Sequence, residues 1–172
     1  MKFTLTILLV LISYVVFAQV PYEISKDPKH PEVTIYRGAI DKYLLQNNPE
    51  FNKWYTFNQQ SYMPDSAVLN IFAKAKDSIQ FVLFGGTWCD DTQFILPKFF
   101  KIQEMAGVPD NAISFFGVDR QKQALGNIAS AFSITNVPTI IVMKNGKEIG
   151  RIVEYGKTGK WEKELAEIIT RN

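Results

Sequence analysis

The chain has very little of what staples small folds together: one cysteine and one histidine in 172 residues. A single cysteine cannot close an internal disulfide, so a disulfide scaffold is excluded. One cysteine and one histidine cannot complete a structural zinc site of the usual kinds. Surplus charge is also missing. Lys plus Arg number 19 and Asp plus Glu 17, a net charge of +2, which excludes a general nucleic-acid binder that must neutralise phosphates. No internal repeat, low-complexity tract or linker divides the sequence. Apolar residues, in contrast, are plentiful: 47% of the chain is apolar and 13% aromatic, enough for a packed core and too much for disorder. The length fits one ordinary domain.

Lys2 precedes an apolar run from Phe3 to Ala18 that is broken only by Thr4, Thr6 and Ser13. A positive start, a short apolar stretch and a small residue at its end form the layout of a secretory signal. Val16-Phe17-Ala18 supplies the cleavage pattern, with Gln19 as the new N-terminus. The other reading is a membrane anchor, but the 16-residue run is short against the roughly 20 residues that span a bilayer. No cysteine follows the run, so lipid attachment of the lipoprotein type is not available. The expectation is a mature protein exported to the periplasm or secreted, touching a membrane only if the signal stays uncleaved. It would carry a net charge of +1 once Lys2 is removed.

Gln19 to Glu32 carries Pro21, Pro28 and Pro31 and reads as an irregular arm. His30, between Lys29 and Pro31, reads as an exposed residue and not as a ligand or catalyst. Ile40 to Tyr62 is rich in large residues. Pro49 stands where a helix would begin, and Phe51, Trp54 and Tyr55 recur at helical spacing as a face that packs on a core. Asp65 reads as the N-cap of a helix through Leu69, Phe72 and Ala73. Beyond it the pattern alternates. Strands are expected at Ile79–Gly85, Ile113–Val118, Thr139–Met143 and Glu148–Glu154. Helices are expected at Asp90–Met105, closed by Gly107, at Lys122–Ala131 and at Trp161–Thr170. Asn145-Gly146 is a two-residue hairpin signal, which makes the last two strands antiparallel. This order implies an α/β fold, a mixed central sheet flanked by helices.

The stretch Gly85-Gly86-Thr87-Trp88-Cys89-Asp90-Asp91-Thr92-Gln93 follows a buried strand and opens a helix. A thiol there faces unpaired backbone N–H groups and the positive end of the helix dipole. Both favour thiolate, the nucleophilic form. The charges of Asp90 and Asp91 work the other way if either packs against the sulfur. Cys89 therefore reads either as a nucleophile or as an inert buried thiol, and Trp88 as a substrate-facing wall or as plain shielding.

These residues resemble the thioredoxin superfamily. Trp88-Cys89 is similar to the family's Trp-Cys, Pro97 stands where the family has a helix-kinking proline, and Asp119 follows the second strand. Val137-Pro138-Thr139 resembles the family's Ile/Val-Pro-Thr with its cis proline beside the cysteine. Lys144-Asn145-Gly146-Lys147 resembles the hairpin and Gly156 the glycine after the last strand. The Gly-Thr-Trp-Cys-acid-Asp-Thr stretch further resembles thioredoxin-like proteins exported by Bacteroidetes. The resemblance implies a thioredoxin-like fold with a helical N-terminal extension: signal at 1–18, arm and helical extension at 19–64, thioredoxin-like domain at 65–172.

Departures from that pattern shape the functional expectation. Thr92 replaces the second cysteine of Cys-x-x-Cys, so the chain cannot form its own active-site disulfide. The family's buried carboxylate and its lysine partner fall at Leu83 and Phe115. The resemblance then implies monothiol exchange. Cys89 attacks a disulfide, Thr92 donates a hydrogen bond to the sulfur, and an external thiol resolves the adduct. Trp88, Asn136, Val137 and Pro138 would hold an extended substrate segment by strand-like pairing. Expected partners are a disulfide- or thiol-bearing protein or a small thiol. No cofactor, metal or nucleic acid is expected. The alternative is a binding module that uses the same Cys89/Pro138 groove without turnover. Peroxidase chemistry is disfavoured, because Gly86 and Val82 occupy the Thr and Pro positions of the peroxiredoxin motif.

Overall fold

A computed structural model describes residues 21–171; the signal-like run and the cleavage expected after it lie outside them. Among the described residues, six strands form one sheet in the order β1-β2-β4-β3-β5-β6. Strand β1 is Tyr22–Lys26, β2 Thr34–Ile40, β3 Gln80–Gly85, β4 Ile113–Gly117, β5 Thr139–Lys144 and β6 Lys147–Val153. Strands β3 and β4 run parallel, and every other neighbouring pair is antiparallel. The helices are α1 Lys42–Asn47, α2 Pro49–Gln60, α3 Ser66–Ala75, α4 Asp90–Ala106, α5 Ile128–Ala131 and α6 Trp161–Thr170.

The central strands are buried on both faces, and their period of two sorts side chains between two cores. Phe81 and Leu83, Phe115, Ile140 and Val142 enter the larger core with residues of α1 to α4 and α6. Phe84, Ile141 and Val118 enter a smaller one that includes Ala129 of α5 and Val137. Leu83 and Phe115 are register partners across the parallel pair, both within the large core. The positions that would hold a buried proton relay are thus filled by two apolar side chains.

Two expectations are corrected. The proline-rich segment before Glu32 is not an irregular arm. Tyr22–Lys26 is an edge strand paired with Thr34–Ile40, and β2 joins the pair to the sheet through β4. Pro21 and Pro28 bracket β1 instead of interrupting it, as edge strands permit. The region from Lys122 to Ala131 is not one helix; only Ile128–Ala131 is helical. Lys122 (φ 62°) and Gly126 (φ 64°) adopt left-handed backbone, which a right-handed helix cannot contain. Asp119 Oδ1 accepts from the N–H groups of both Gln121 and Gln123, a side-chain turn that competes with helix formation.

Elsewhere local chemistry explains the elements. Asp65 caps α3 by accepting from Ala67 N–H, and Pro49 opens α2 with Asn48 as the cap. Asn145 and Gly146 (φ 53° and 74°) make the tight turn that suits the twist of β5 and β6. The aromatic face of α2 is core. Phe51 and Tyr55 are buried, in a chain of ring contacts from Tyr36 through Trp54 to Phe100. Asn58 of α2 donates to Gln93 O of α4 at 3.1 Å, so this helix runs beside the start of α4. Lys42 of α1 is buried, with Nζ 2.9 Å from carboxylate oxygens of both Glu104 and Asp110. Burial would lower its pKa, but the two carboxylates raise it overall.

Candidate functional site

Cys89 is the N-cap of α4, with extended backbone (φ −101°, ψ 120°). Its N–H donates to Gly86 O at 2.9 Å and its carbonyl accepts from Gln93 N–H at 3.0 Å. The turn from β3 into α4 is therefore closed on both sides of the thiol. The thiol is half-buried and donates to Val137 O at 3.3 Å. The Val137–Pro138 peptide is cis. The structure thus brings Cys89, Val137 and Pro138 together from two distant parts of the chain.

Thr92 is buried and lies under the same turn, but its hydroxyl accepts from Gly86 N–H at 3.2 Å. The partner of the sulfur is the Val137 carbonyl, and Thr92 braces the glycine turn. Gln93 adds a second brace, Nε2 donating to Thr87 O at 2.8 Å. Asn136 is exposed, and its amide donates to Glu154 Oε1 at 2.8 Å. Glu154 N–H in turn donates to Pro138 O at 2.7 Å. The segment 136–138 is thereby tied to the end of β6. His30 sits far along the chain in the hairpin turn, exposed, 3.4 Å from Glu32.

Trp88 covers one side of the turn. Its indole N–H donates to Val118 O at 2.9 Å, and its ring lies so close to Gly86 that a Cβ there would sit 2.5 Å from the indole. Only glycine fits beneath it. Arg120 stands over the ring at 4.8 Å and Lys122 at 5.5 Å from its centroid. Asp91, in the first turn of α4, accepts from the Tyr155 hydroxyl at 2.9 Å, and Tyr155 packs on Phe94. Burial first, then the hydrogen bond to Asp91 and the nearby Asp91, Cys89 and Asp90 charges, push the Tyr155 hydroxyl up to about 12. Cations thus stand over the Trp88 indole, and a carboxylate holds the Tyr155 hydroxyl.

Several of these neighbours were not legible in the sequence. Tyr155, Glu154, Arg120 and Lys122 stand in loops with no motif, and only the folded sheet brings them to Asp91, Asn136 and Trp88. The N-terminal hairpin also reaches the site. Thr87 Oγ1 donates to Thr34 O at 2.7 Å and accepts from Tyr36 N–H at 3.4 Å. Among the described residues no three His, Cys, Asp or Glu side chains gather as metal ligands would.

A sequence profile of the thioredoxin family matches residues 64–170. The chain belongs to the thioredoxin family. Over 81 residues it is 32% identical to thioredoxin-1 of Saccharomyces cerevisiae, a match covering 47% of this chain and 73% of that protein. Over 70 residues it is 36% identical to thioredoxin H2-2 of Oryza sativa subsp. japonica, covering 41% and 48% respectively. A solved structure of a Pseudomonas aeruginosa protein of unknown function superposes with a TM-score of 0.54 at 15% identity, covering 77% of this chain and 90% of that one; that likeness speaks to fold alone. Thioredoxin-family relatives support a thiol–disulfide oxidoreductase-like function in general terms, on thiol- or disulfide-bearing proteins. Residues 21–63, with the β1–β2 hairpin and helices α1 and α2, lie outside the family match.

Proposed function

We propose that this thioredoxin-family protein performs monothiol thiol–disulfide exchange outside the cytoplasm, with Cys89 as the nucleophile. The observation that carries this reading is the half-buried thiol at the N-cap of α4, 3.3 Å from the Val137 carbonyl. It stands beside the cis Val137–Pro138 segment, backbone of the kind with which an extended chain can pair. The sulfur of Cys89 attacks one sulfur of a substrate disulfide. A new disulfide to Cys89 forms, the substrate bond breaks, and the released sulfur leaves as thiolate and takes up a proton. With Thr92 in place of a second cysteine, an external thiol attacks the captured sulfur, forms a disulfide with it and expels Cys89 as thiolate. One disulfide enters and another leaves, with Cys89 unchanged. The signal-like segment at 1–18 supports export, where disulfides persist.

A second reading, a binding module without turnover, draws support from the Thr92 hydroxyl oxygen accepting from Gly86 N–H while the sulfur bonds to Val137 O. One experiment separates the two. The folded protein is treated with dithiodipyridine and then with a small thiol. Exchange predicts release of thiopyridone, a trapped adduct on Cys89, recovery of the free thiol, and loss of all three in Cys89→Ser. Reaction of Cys89 only after unfolding would overturn exchange and leave the binding module.

A further inference from the structure

The buried acid that the family's relay would use is absent, yet the chain buries a different one beside the site. Asp27 is 0% exposed in the turn that closes the β1–β2 hairpin, where its N–H donates to Val33 O at 2.9 Å. Its Oδ1 accepts from Lys29 N–H at 2.8 Å and His30 N–H at 3.2 Å. Its Oδ2 accepts from Arg120 Nε. Burial alone would raise the Asp27 pKa; the bonds from Arg120 and from the two backbone groups outweigh it and hold the carboxyl below its ordinary value. The carboxylate is thus fully satisfied, and Arg120 is fixed at the one nitrogen that points along its side chain.

The same guanidinium reaches the residue before the thiol: its central carbon Cζ lies 4.8 Å from the centre of the Trp88 ring. A planar cation over an indole face is an attractive contact and a directional one. The neighbouring pair repeats the arrangement with the roles exchanged: Arg37 of the hairpin reaches Asp119 of the loop at 3.4 Å. Two arginine–carboxylate pairs therefore cross between the hairpin and the loop after β4, and one of them ends on Trp88.

We propose that the Asp27–Arg120 pair is a positioning device that fixes Trp88 as one wall of the cysteine groove, so that the N-terminal hairpin is part of the substrate site. Arg120 is the positioning residue; it acts through Trp88. The proposal deepens the exchange function and rests on it for the meaning of the wall. A substrate segment entering beside Cys89 meets Trp88 with Lys122 over it; the Arg120 charge is taken up by Asp27, so Lys122 supplies the cation that favours disulfides with a neighbouring carboxylate. A misplaced wall slows such a substrate more than it slows a small reagent, because only the extended substrate uses the wall for orientation.

The test has a spectroscopic arm and a kinetic arm, both on the full chain. The three tryptophans, Trp54, Trp88 and Trp161, give three indole N–H signals in a ¹⁵N-labelled sample, and Trp88→Phe assigns the one that matters. Asp27→Asn and Arg120→Gln are expected to shift the Trp88 signal and leave the other two in place. Arg120→Lys, which keeps the cation, is expected to shift it less. The kinetic probe is an acidic peptide whose single cysteine is capped with thiopyridine. Cys89 attacks the peptide sulfur and expels thiopyridone. Its rate is expected to fall about tenfold to a hundredfold in Asp27→Asn and Arg120→Gln, and alkylation by iodoacetamide to fall far less. A Trp88 signal that does not move in either variant overturns the proposal, as does equal slowing of peptide and iodoacetamide. If the wild-type protein fails to react with the peptide at all, the exchange function is what fails, and the Trp88 signal still decides the clamp. If the single variants do not fold, Asp27→Leu combined with Arg120→Met replaces the buried ion pair with an apolar one. The Trp88 signal and the peptide rate are then read on that protein with the same expectation.

Discussion

Thr87→Val is the most direct test of the link between the N-terminal hairpin and the cysteine turn. The substitution keeps the shape of the side chain and removes its hydroxyl. Thr87 is 4% exposed, so water cannot replace what is lost. The 2.7 Å bond to Thr34 O is short and well inside hydrogen-bond range. Its loss, with the acceptor left in a buried place, costs about 1–3 kcal/mol. The bond from Tyr36 N–H is long at 3.4 Å and adds at most about 1 kcal/mol. The expected destabilisation is about 1–4 kcal/mol, large against a total of roughly 5–15 kcal/mol for a domain. Urea unfolding at constant pH is the assay. With a slope of ~2 kcal/mol per molar urea, the midpoint should fall by about 0.5–2 M. Thr87→Ser keeps the hydroxyl and should recover most of that loss. A midpoint shift under about 0.25 M for Thr87→Val, equivalent to roughly 0.5 kcal/mol, would refute the argument that this hydroxyl ties the hairpin to the turn. So would equal losses in the valine and serine variants.

Three further outcomes follow from the same geometry. Thr92→Cys places a second thiol one helical turn from Cys89, and mild oxidation should then convert both thiols to an internal disulfide; persistence of two free thiols by mass spectrometry after alkylation would show that the turn cannot close. Leu83→Asp puts a carboxyl with no partner into the large core, and burial raises its pKa above the unfolded value. Its folded state keeps the proton, so stability is highest at low pH and falls as pH rises above the unfolded value of about 3.9; urea midpoints at pH 5 and pH 8 should diverge, unlike those of the wild type. Tyr155, pushed up to about 12, should stay protonated through pH 10 in an ultraviolet titration. Since its folded pKa exceeds the unfolded value, its contribution to stability is present below about pH 10 and lost as pH rises toward about 12. Asp91→Asn removes the charge and should bring the Tyr155 transition down.

Local signals in the sequence were enough for much of the fold. Pro49 and Asp65 begin α2 and α3 because a missing N–H and a capping carboxylate act within one turn of chain. Asn145-Gly146 sets the β5–β6 hairpin for an equally local reason, its positive φ angles. Cys89 was legible as the thiol at the start of α4 because a strand, a pair of glycines and a helix follow one another without interruption. The aromatic spacing of α2 placed it on the core. Where reading failed, the determinant was a partner far along the chain. Strand β1 looked like an arm because its three nearby prolines are local evidence against a strand, whereas its stability comes from register with β2. The stretch at 122–131 reads as helical because left-handed backbone at Lys122 leaves no mark on composition; Gly126, the second left-handed residue, is the one local break signal.

The sequence by itself determined the family, the strand-turn-helix that presents Cys89, and the absence of a resolving thiol, since each depends on residue type at short spacing. The tertiary structure alone decided how the cysteine turn is braced. Arg120 over Trp88, Tyr155 on Asp91 and the buried Asp27 on Arg120 join segments separated by tens of residues, and only the assembly of the six strands in one sheet sets their distances. Hydrogen bonds and charge contacts act over a few ångströms in space and carry no signature along the chain, so the chemistry of the groove became readable only when the chain was folded.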